Sequence, residues 1–405
     1  MSYEVAIVGA GPVGVSLACA LGGAGVGVVL LESRPGGTPG AATSAHGRPI
    51  ALSLGSKRIL DTLGAWEVVG GHANPIEQIH VSDRGGFGFT RLRAAEHGVE
   101  ALGYVVAANA LEEALEVLLA AQGSVDVLRP ARVRGVSLAA GAARLEADTA
   151  GGTRRLEARL LIAADGGRSR VREALGIGVR TRAYGQVAVV ARVLPQKPHF
   201  NTAYERFTDS GPLALLPMRQ GWCGLVWSTH PPESEHLLSL DDEPFLSALT
   251  RRFGQRLGGF GRVQGRSAYP LQLVRSREHV RSRLAIIGNA AHQLHPVAGQ
   301  GLNLGLRDAA ALAEVVVEAV RSGTDPGALR TVERYAAWRG GDQDSVTWFT
   351  DALVRLFSSR LGPLRAGRDL GLLALDLVPG LKAGLARRAM GLAGRQTRLA
   401  RGLSL

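Results

Sequence analysis

Three glycines near the start of the chain have a spacing that suits phosphate binding: Gly9, Gly11 and Gly14, within Gly9-Ala10-Gly11-Pro12-Val13-Gly14. The apolar run Tyr3 to Val8 before them reads as a buried strand, and Pro12 to Ala24 after them as a helix. A second apolar strand, Val26 to Leu31, then stops at Glu32, 18 positions past the last glycine. In such a β-α-β unit the first glycine makes the tight turn, the second admits a pyrophosphate against the backbone, and the third lets helix and strand pack closely. The acid takes ribose hydroxyls. The plainer alternative is an ordinary strand-helix joint, since 54 of the 405 residues are glycine. The strand, helix and acid in their proper places favour a dinucleotide without saying which.

Two further runs carry chemistry. One is Leu160-Leu161-Ile162-Ala163-Ala164-Asp165-Gly166-Gly167-Arg168-Ser169-Arg170-Val171-Arg172; the other extends from Gly288 to Asp308, GNAAHQLHPVAGQGLNLGLRD. In the second, Gly299 and Gly301 allow main-chain N–H groups to lie against a planar ring, and a helix from about Asn303 to Arg321 points its positive end there. That end would stabilise a ring carrying negative charge. His292 and His295 invite a metal reading, but no further ligands accompany them at suitable spacing. His292 is kept as a candidate proton relay. Tyr184, Tyr269, Trp222 and Trp227 either line an aromatic pocket or are plain core.

With these three motifs in this order, the chain resembles the flavoprotein aromatic hydroxylases of the p-hydroxybenzoate hydroxylase superfamily over nearly its whole length. It is most similar to the ubiquinone-biosynthesis hydroxylases, on Arg48-Pro49-Ile50-Ala51-Leu52-Ser53, Gly211 to Pro217 with Val226-Trp227, His295 to Asn303, and the tail from Asp376 to Gly391. The resemblance implies FAD held by Gly9, Gly11, Pro12, Val13 and Gly14 at the pyrophosphate and by Glu32, Ser33 and Arg34 at the adenosine. It further implies Arg48, Asn109, Val133, Asp165, Gly166, Gly288, Asn289, Pro296, Gly299, Gln300, Gly301, Leu302 and Asn303 as cofactor-binding residues. Gly288-Asn289 stands where most of the superfamily has Gly-Asp, a departure the ubiquinone-type members share. The implied reaction is hydroxylation of a polyprenyl-phenol ring with O2 and NADPH or NADH, through a flavin hydroperoxide. No second GxGxxG is present, so the nicotinamide donor is expected to bind transiently. A hydroxylase of a small soluble phenol and a catalytically silent FAD-binding scaffold are the alternatives.

The elements that must position these residues obey the same pattern. Arg48 to Ser53 leads into a helix from Ser56 to Leu63, Glu112 to Ala121 reads as a helix, Val125 to Leu145 as hairpin strands, and Arg159 to Ala163 as a buried strand. From Tyr184 to Tyr269 the pattern is of strands with little helix signal, and Leu284 to Gly288 is again a short strand. The loop from Pro35 to Gly47 is irregular. The expected fold is α/β: a Rossmann-like FAD-binding domain (1–70, 99–180 and 270–345) with an interleaved, mainly β substrate domain (71–98 and 181–269) and a C-terminal helical segment (346–405).

Composition bounds the rest. Apolar residues at 46% and charged residues at 20% describe a folded globular chain. Two cysteines, Cys19 and Cys223, lack disulfide or zinc spacing, so a reducing, cytoplasmic compartment is expected. The run Val5 to Leu31 has no charge, but its glycines and the preceding Glu4 argue against a span or signal peptide. The formal charge of +12 is concentrated at the end, where ten basic residues from Val354 onward face only Asp369 and Asp376. That basic, leucine-rich segment suits either an anionic membrane surface on the inner face or a solvated helix packed on the body. A quinone-biosynthesis complex or a homo-oligomer is also compatible with it. No nucleic-acid recognition motif accompanies the charge, and no nucleic-acid partner is expected.

Overall fold

In the computed structural model, residues 2–35, 47–358 and 362–405 are described. Most of the loop expected from Pro35 to Gly47, residues 36–46, lies outside them. Alternation of short apolar runs with glycine turns gives a parallel sheet ordered Leu284–Ile286, Gly152–Ala163, Ser2–Val8, Val28–Leu31 and Val125–Leu128. The stretches paired at its centre, Val5–Val8, Val28–Leu31, Leu160–Ala163 and Leu284–Ile286, are apolar throughout, as burial on both faces of such a sheet requires. Val5, Ile7, Val28 and Leu30 pack toward the helices Pro12–Gly23 and Gln300–Arg321, while Ala6, Val8, Val29 and Leu31 pack against the hairpin Ala131–Leu138/Ala143–Thr149.

A second sheet of eight strands runs 292–293, 260–276, 179–195, 223–229, 211–217, 202–208, 78–83 and 89–93. Its neighbours are antiparallel except for 202–208 beside 78–83. One face is sealed by Leu213, Leu215, Leu225, Trp227, Phe245 and Leu249. A third, small sheet joins Pro49–Ser53, Gly103–Ala107 and Asn74–Ile76. Pro49 packs so closely on the second sheet that a Cβ at Gly224 would meet its ring at 2.4 Å. Gly224→Val is therefore expected to destabilise the protein by about 1–3 kcal/mol, read as a lower urea midpoint.

The α/β class and the C-terminal helices are as expected. Four local expectations need correction. Two helices, Pro231–Ser239 and Asp242–Phe253, interrupt the stretch read as nearly helix-free. The first opens on proline, and the second has two acids in its first turn and two arginines in its last, a pattern masked by the surrounding aromatic strands. Val125–Leu128 is a parallel strand beside Val28–Leu31 and not part of the hairpin. The helix expected from Glu112 begins at Ala108, and the one expected from Asn303 begins at Gln300.

Candidate active site

Parallel strand direction brings the three motifs together. Val8 pairs with Ala163 and with Leu31, and Ala163 with Ile286, so these four strands end side by side. The chain leaves them through Gly9, Glu32, Ala164-Asp165 and Ile287-Gly288. In open α/β sheets, ligands bind just beyond these carboxyl ends.

Two of the first three glycines are consumed by packing. A Cβ on Gly9 would lie 2.5 Å from the Ala164 carbonyl oxygen, at a φ of +106°, and one on Gly14 would lie 2.0 Å from the Gly9 carbonyl oxygen. Gly11 differs: nothing described lies within 4 Å of its Cβ position. The helix Pro12–Gly23 has no side-chain cap, so the N–H groups of its first turn face that open space. Gly288 and Gly305 close on Val13, at 3.3 and 2.7 Å from their Cβ positions.

Glu32 is buried, and its carboxylate accepts the Ala10 N–H at 2.9 Å and the Arg34 N–H at 2.9 Å. Burial opposes its ionisation, but these N–H groups and the Arg34 guanidinium prevail and hold its pKa below the usual value. It braces the glycine turn as an anion. Ser33 and Arg34 are exposed beside it. The Ala131 N–H donates to the Glu32 carbonyl at 2.6 Å, which brings the strand carrying Val133 alongside. There Arg132, Val133, Arg134, Arg170, Glu173 and Ala174 line an open cleft of about 570 Å³. Asp165 accepts the Val171 N–H at 3.1 Å through one oxygen, while burial raises its pKa and its other oxygen is buried without a partner.

The turn Gly288–Ala290 buries Gly288 and Ala290 and exposes only Asn289. The segment Pro296–Asn303 then approaches the small sheet. Gly299, at φ +60°, has its Cβ position 3.2 Å from Ala51. Asn303 is committed to this joint, accepting the Ser53 N–H at 2.8 Å and donating to the carbonyls of Ala51 and Gly299 at 2.8 and 2.7 Å. It positions the turn, leaving its main chain for a ligand. Gln300 is buried and Leu302 packs on the core, whereas nothing described lies within 4 Å of the Gly301 Cβ position. The first helical turn after Gly299 carries no acid, so its positive end is uncompensated there. Asn109 packs against Gly47 with its side-chain oxygen buried and unpartnered. Arg48 is exposed and shares a small cavity with Arg192, Gln264, Ser267 and Tyr269.

His292 does not join this track. Its Nε2 lies 2.8 Å from Asp308, which is fully buried and also accepts from Arg339 at 2.7 Å and Gln343 at 3.0 Å. Gln343 in turn contacts His279 at 2.9 Å, and Arg307 and Arg339 share Asp342. Sequence reasoning missed this network. Its signal was the polar trio Arg339, Asp342 and Gln343, spaced three and four apart on one helix face. Of the aromatic candidates, Trp227 is core, Trp222 is buried under Arg192 and Arg262, and Tyr184 lies edge-on to His295 at 5.1 Å.

Burial lowers the pKa of His295 from 6.5 to about 4; for His80, burial and the nearby Arg256, Arg91 and Arg206 do the same. Both are neutral in the fold, so the stability they contribute is complete above pH 6.5 and is lost as pH falls from 6.5 toward 4. A urea midpoint lower at pH 5.0 than at 7.5 is expected, with a smaller drop in His295→Asn.

The opening at Gly11 and the braced acid beside it lie beyond the strand ends where open α/β sheets bind dinucleotides, and the helix start at Gly301 is likewise open. Similarity to known proteins agrees. Residues 2–340 match the family described as FAD binding domain. The ubiquinone hydroxylase UbiL of Rhodospirillum rubrum is 41% identical over 411 residues, covering 99% of this chain and 93% of that one. The 3-demethoxyubiquinol 3-hydroxylase of Escherichia coli is 32% identical, covering 96% and 98%. The crystal structure of p-nitrophenol 4-monooxygenase PnpA from Pseudomonas putida superposes with a TM-score of 0.79 at 21% identity, over 98% of this chain and 100% of that one, a likeness of fold. The chain belongs to the FAD-binding-domain family and, within it, to the FAD-dependent hydroxylases of ubiquinone biosynthesis.

Proposed function

We propose that this protein hydroxylates the aromatic ring of a polyprenyl-phenol quinone precursor, using O2 and a nicotinamide donor. The observation that carries the reading is the gathering of Gly11, Glu32, Asp165 and Asn289 beyond four adjacent strand ends, together with an open helix start at Gly301. The buried, unpartnered oxygens of Asp165 and Asn109 fit a ligand rich in hydroxyl and N–H donors.

Bound FAD supplies the redox chemistry, taking two electrons from the nicotinamide and activating oxygen. The chain's own residues bind, orient and exclude water. Gly9, Gly11, Pro12, Val13 and Gly14 would hold the pyrophosphate, and Glu32, Ser33, Arg34 and Val133 the adenosine. Arg48, Asn109, Asp165, Gly166, Gly288 and Asn289 would hold the middle of the cofactor. The main chain of Pro296, Gly299, Gln300, Gly301, Leu302 and Asn303 would face the ring, where the helix end stabilises negative charge. His292, bonded to Asp308, acts as a positioning residue in this reading and moves no proton to substrate. The second sheet forms the opposite wall and keeps water from the reacting ring.

We assign the chain a discontinuous FAD-binding domain (1–70, 99–180 and 270–345), a substrate domain (71–98 and 181–269) and a C-terminal segment (346–405). The division is supported by strands 78–83 and 89–93 lying in one sheet with strands from 179–276. A polyprenyl tail places the working position at a membrane, with the protein peripheral on its cytoplasmic face. Among the described residues no helix is long and apolar enough to cross one. Oxygen uptake with NADPH or NADH, followed by mass analysis of the product, tests the reading. Uptake and an added oxygen atom only with a prenylated phenol are expected. Equal turnover of a short soluble phenol would point to the soluble-phenol alternative, and no phenol-dependent uptake to a silent scaffold.

A further inference from the structure

The basic C-terminal segment is largely anchored to the body. Arg368 pairs with Asp83 at 3.2 Å, Lys382 lies 3.0 Å from Glu96 and 3.6 Å from Asp376, and Arg395 stacks on Trp338 at 4.0 Å. Asp369 and Asp376 accept the N–H groups of Gly88 and Arg91 at 3.0 and 2.8 Å, and Thr90 donates to the Leu372 carbonyl at 3.1 Å. These bonds fasten the helix Gly362–Leu377 along the edge strand Phe89–Arg93 of the second sheet.

They also decide what faces outward. Leu370 is 61% exposed, Leu377 74%, Val378 45% and Leu381 54%, four large apolar side chains within twelve residues. Leu370 and Leu377 are two turns apart on one helix face, while Val378, extended, breaks the helix, and Leu381 lies in the first turn of the next one, Pro379–Ala389. Phe87, 64% exposed, sits on the hairpin that Asp369 holds and adds to the same end as Leu370. Scattered exposed leucines need no explanation, but four large apolar side chains exposed within twelve residues do.

The charge beside them says what would cover them. No acidic side chain comes after Asp376 in the sequence, and Arg387 and Arg388 are exposed on the second helix. A second copy docked face to face would bring these arginines together, and the nearby acids Glu96 and Asp376 are both already beside Lys382. Five side chains also offer far less than the roughly 800 Å² per partner of a standard protein interface. An anionic lipid surface satisfies both halves, acyl chains for the leucines and phosphates for the arginines.

We propose that Phe87, Leu370, Leu377, Val378 and Leu381 seat on an anionic bilayer, with Arg387 and Arg388 meeting lipid phosphates, so that the edge of the second sheet lies at the membrane. The proposal rests on the reading that the substrate is lipid-soluble, and it replaces the whole basic tail with one apolar face as the docking element.

The test is flotation of the FAD-loaded full chain with vesicles of phosphatidylcholine alone and of phosphatidylcholine with about one third phosphatidylglycerol, without substrate. Flotation with the anionic vesicles is expected, falling at least about ten-fold in Leu377→Glu/Leu381→Glu. Arg387→Glu/Arg388→Glu should lose mainly the gain from phosphatidylglycerol. Turnover of a short-tailed phenol in solution should be unchanged in both variants, while turnover of vesicle-embedded long-tailed phenol falls. No flotation of the unaltered chain with either vesicle overturns the proposal. So does a double-leucine variant that floats normally but changes from dimer to monomer in sedimentation, because the face then binds a second copy. Flotation by a chain that hydroxylates no phenol would leave this surface standing and sink only the functional reading.

Discussion

Gly14→Ala is expected to destabilise the fold severely, whereas Gly11→Val, at a helix N-cap, costs the unliganded protein about 1 kcal/mol or less and weakens FAD binding. The two positions belong to one motif, but their surroundings differ. At Gly14 an added Cβ sits 2.0 Å from the Gly9 carbonyl oxygen, and that backbone is itself pinned because Gly9 packs on Ala164. Neither side can yield, so the cost exceeds the ordinary overpacking penalty of about 1–3 kcal/mol. At Gly11 nothing described lies within 4 Å, so a larger side chain meets only the space reserved for a ligand. If pyrophosphate occupies it, the same 1–3 kcal/mol falls on binding, raising the Kd for FAD roughly ten- to a hundred-fold. Thermal unfolding without added FAD, beside a fluorescence titration with it, separates the two. Equal stability loss at both positions would mean that the opening at Gly11 serves no ligand.

Asp308→Asn is the second large effect. The carboxylate is fully buried and holds His292, Arg339 and Gln343 at 2.7–3.0 Å, tying the Gly288–His292 turn to two helices. Removing its charge leaves the Arg339 guanidinium, 5% exposed, without its main partner, a change that typically costs about 3–5 kcal/mol. Arg339→Met with Asp308→Asn should recover part of the loss, because no uncompensated charge then remains. Burial opposes ionisation of Asp308, but Arg339 and His292 hold its pKa far below the ordinary 3.8. Its contribution is therefore complete above pH 3.8 and disappears as pH falls below it. The urea midpoint of Asp308→Asn should accordingly approach that of the unaltered protein in strong acid. A turn at Gly288 loosened in this way should also weaken FAD binding, although Asp308 touches no ligand.

Much of the parallel sheet is legible in the sequence because local signals and tertiary demand coincide there. Apolar strands ending in glycine, with an acid at Glu32, have few other uses. Strand direction alone assembles the site once Arg159 to Ala163 and Leu284 to Gly288 are strands. The helices at Pro231–Ser239 and Asp242–Phe253 escape such a reading, since their apolar residues, Leu237, Phe245 and Leu249, could equally belong to strands. Asn303 reads as a ligand contact, yet its side chain spends every polar atom on Ser53, Ala51 and Gly299, partners about 250 residues away or four. No sequence spacing discloses such a pairing. The C-terminal charge leaves packing on the body and a membrane surface as alternatives, and the pairing of Arg368, Lys382 and Arg395 with residues from distant segments, which sequence spacing does not disclose, shows the packing.

The most direct test of the central claim is the visible spectrum of the purified protein supplied with FAD, then anaerobic addition of NADPH with and without a prenylated phenol. A bound yellow flavin that bleaches faster when the phenol is present is the expected result. Failure to bind FAD would contradict the account at its base, and a bound flavin that NADPH never bleaches would leave the fold and remove the enzyme.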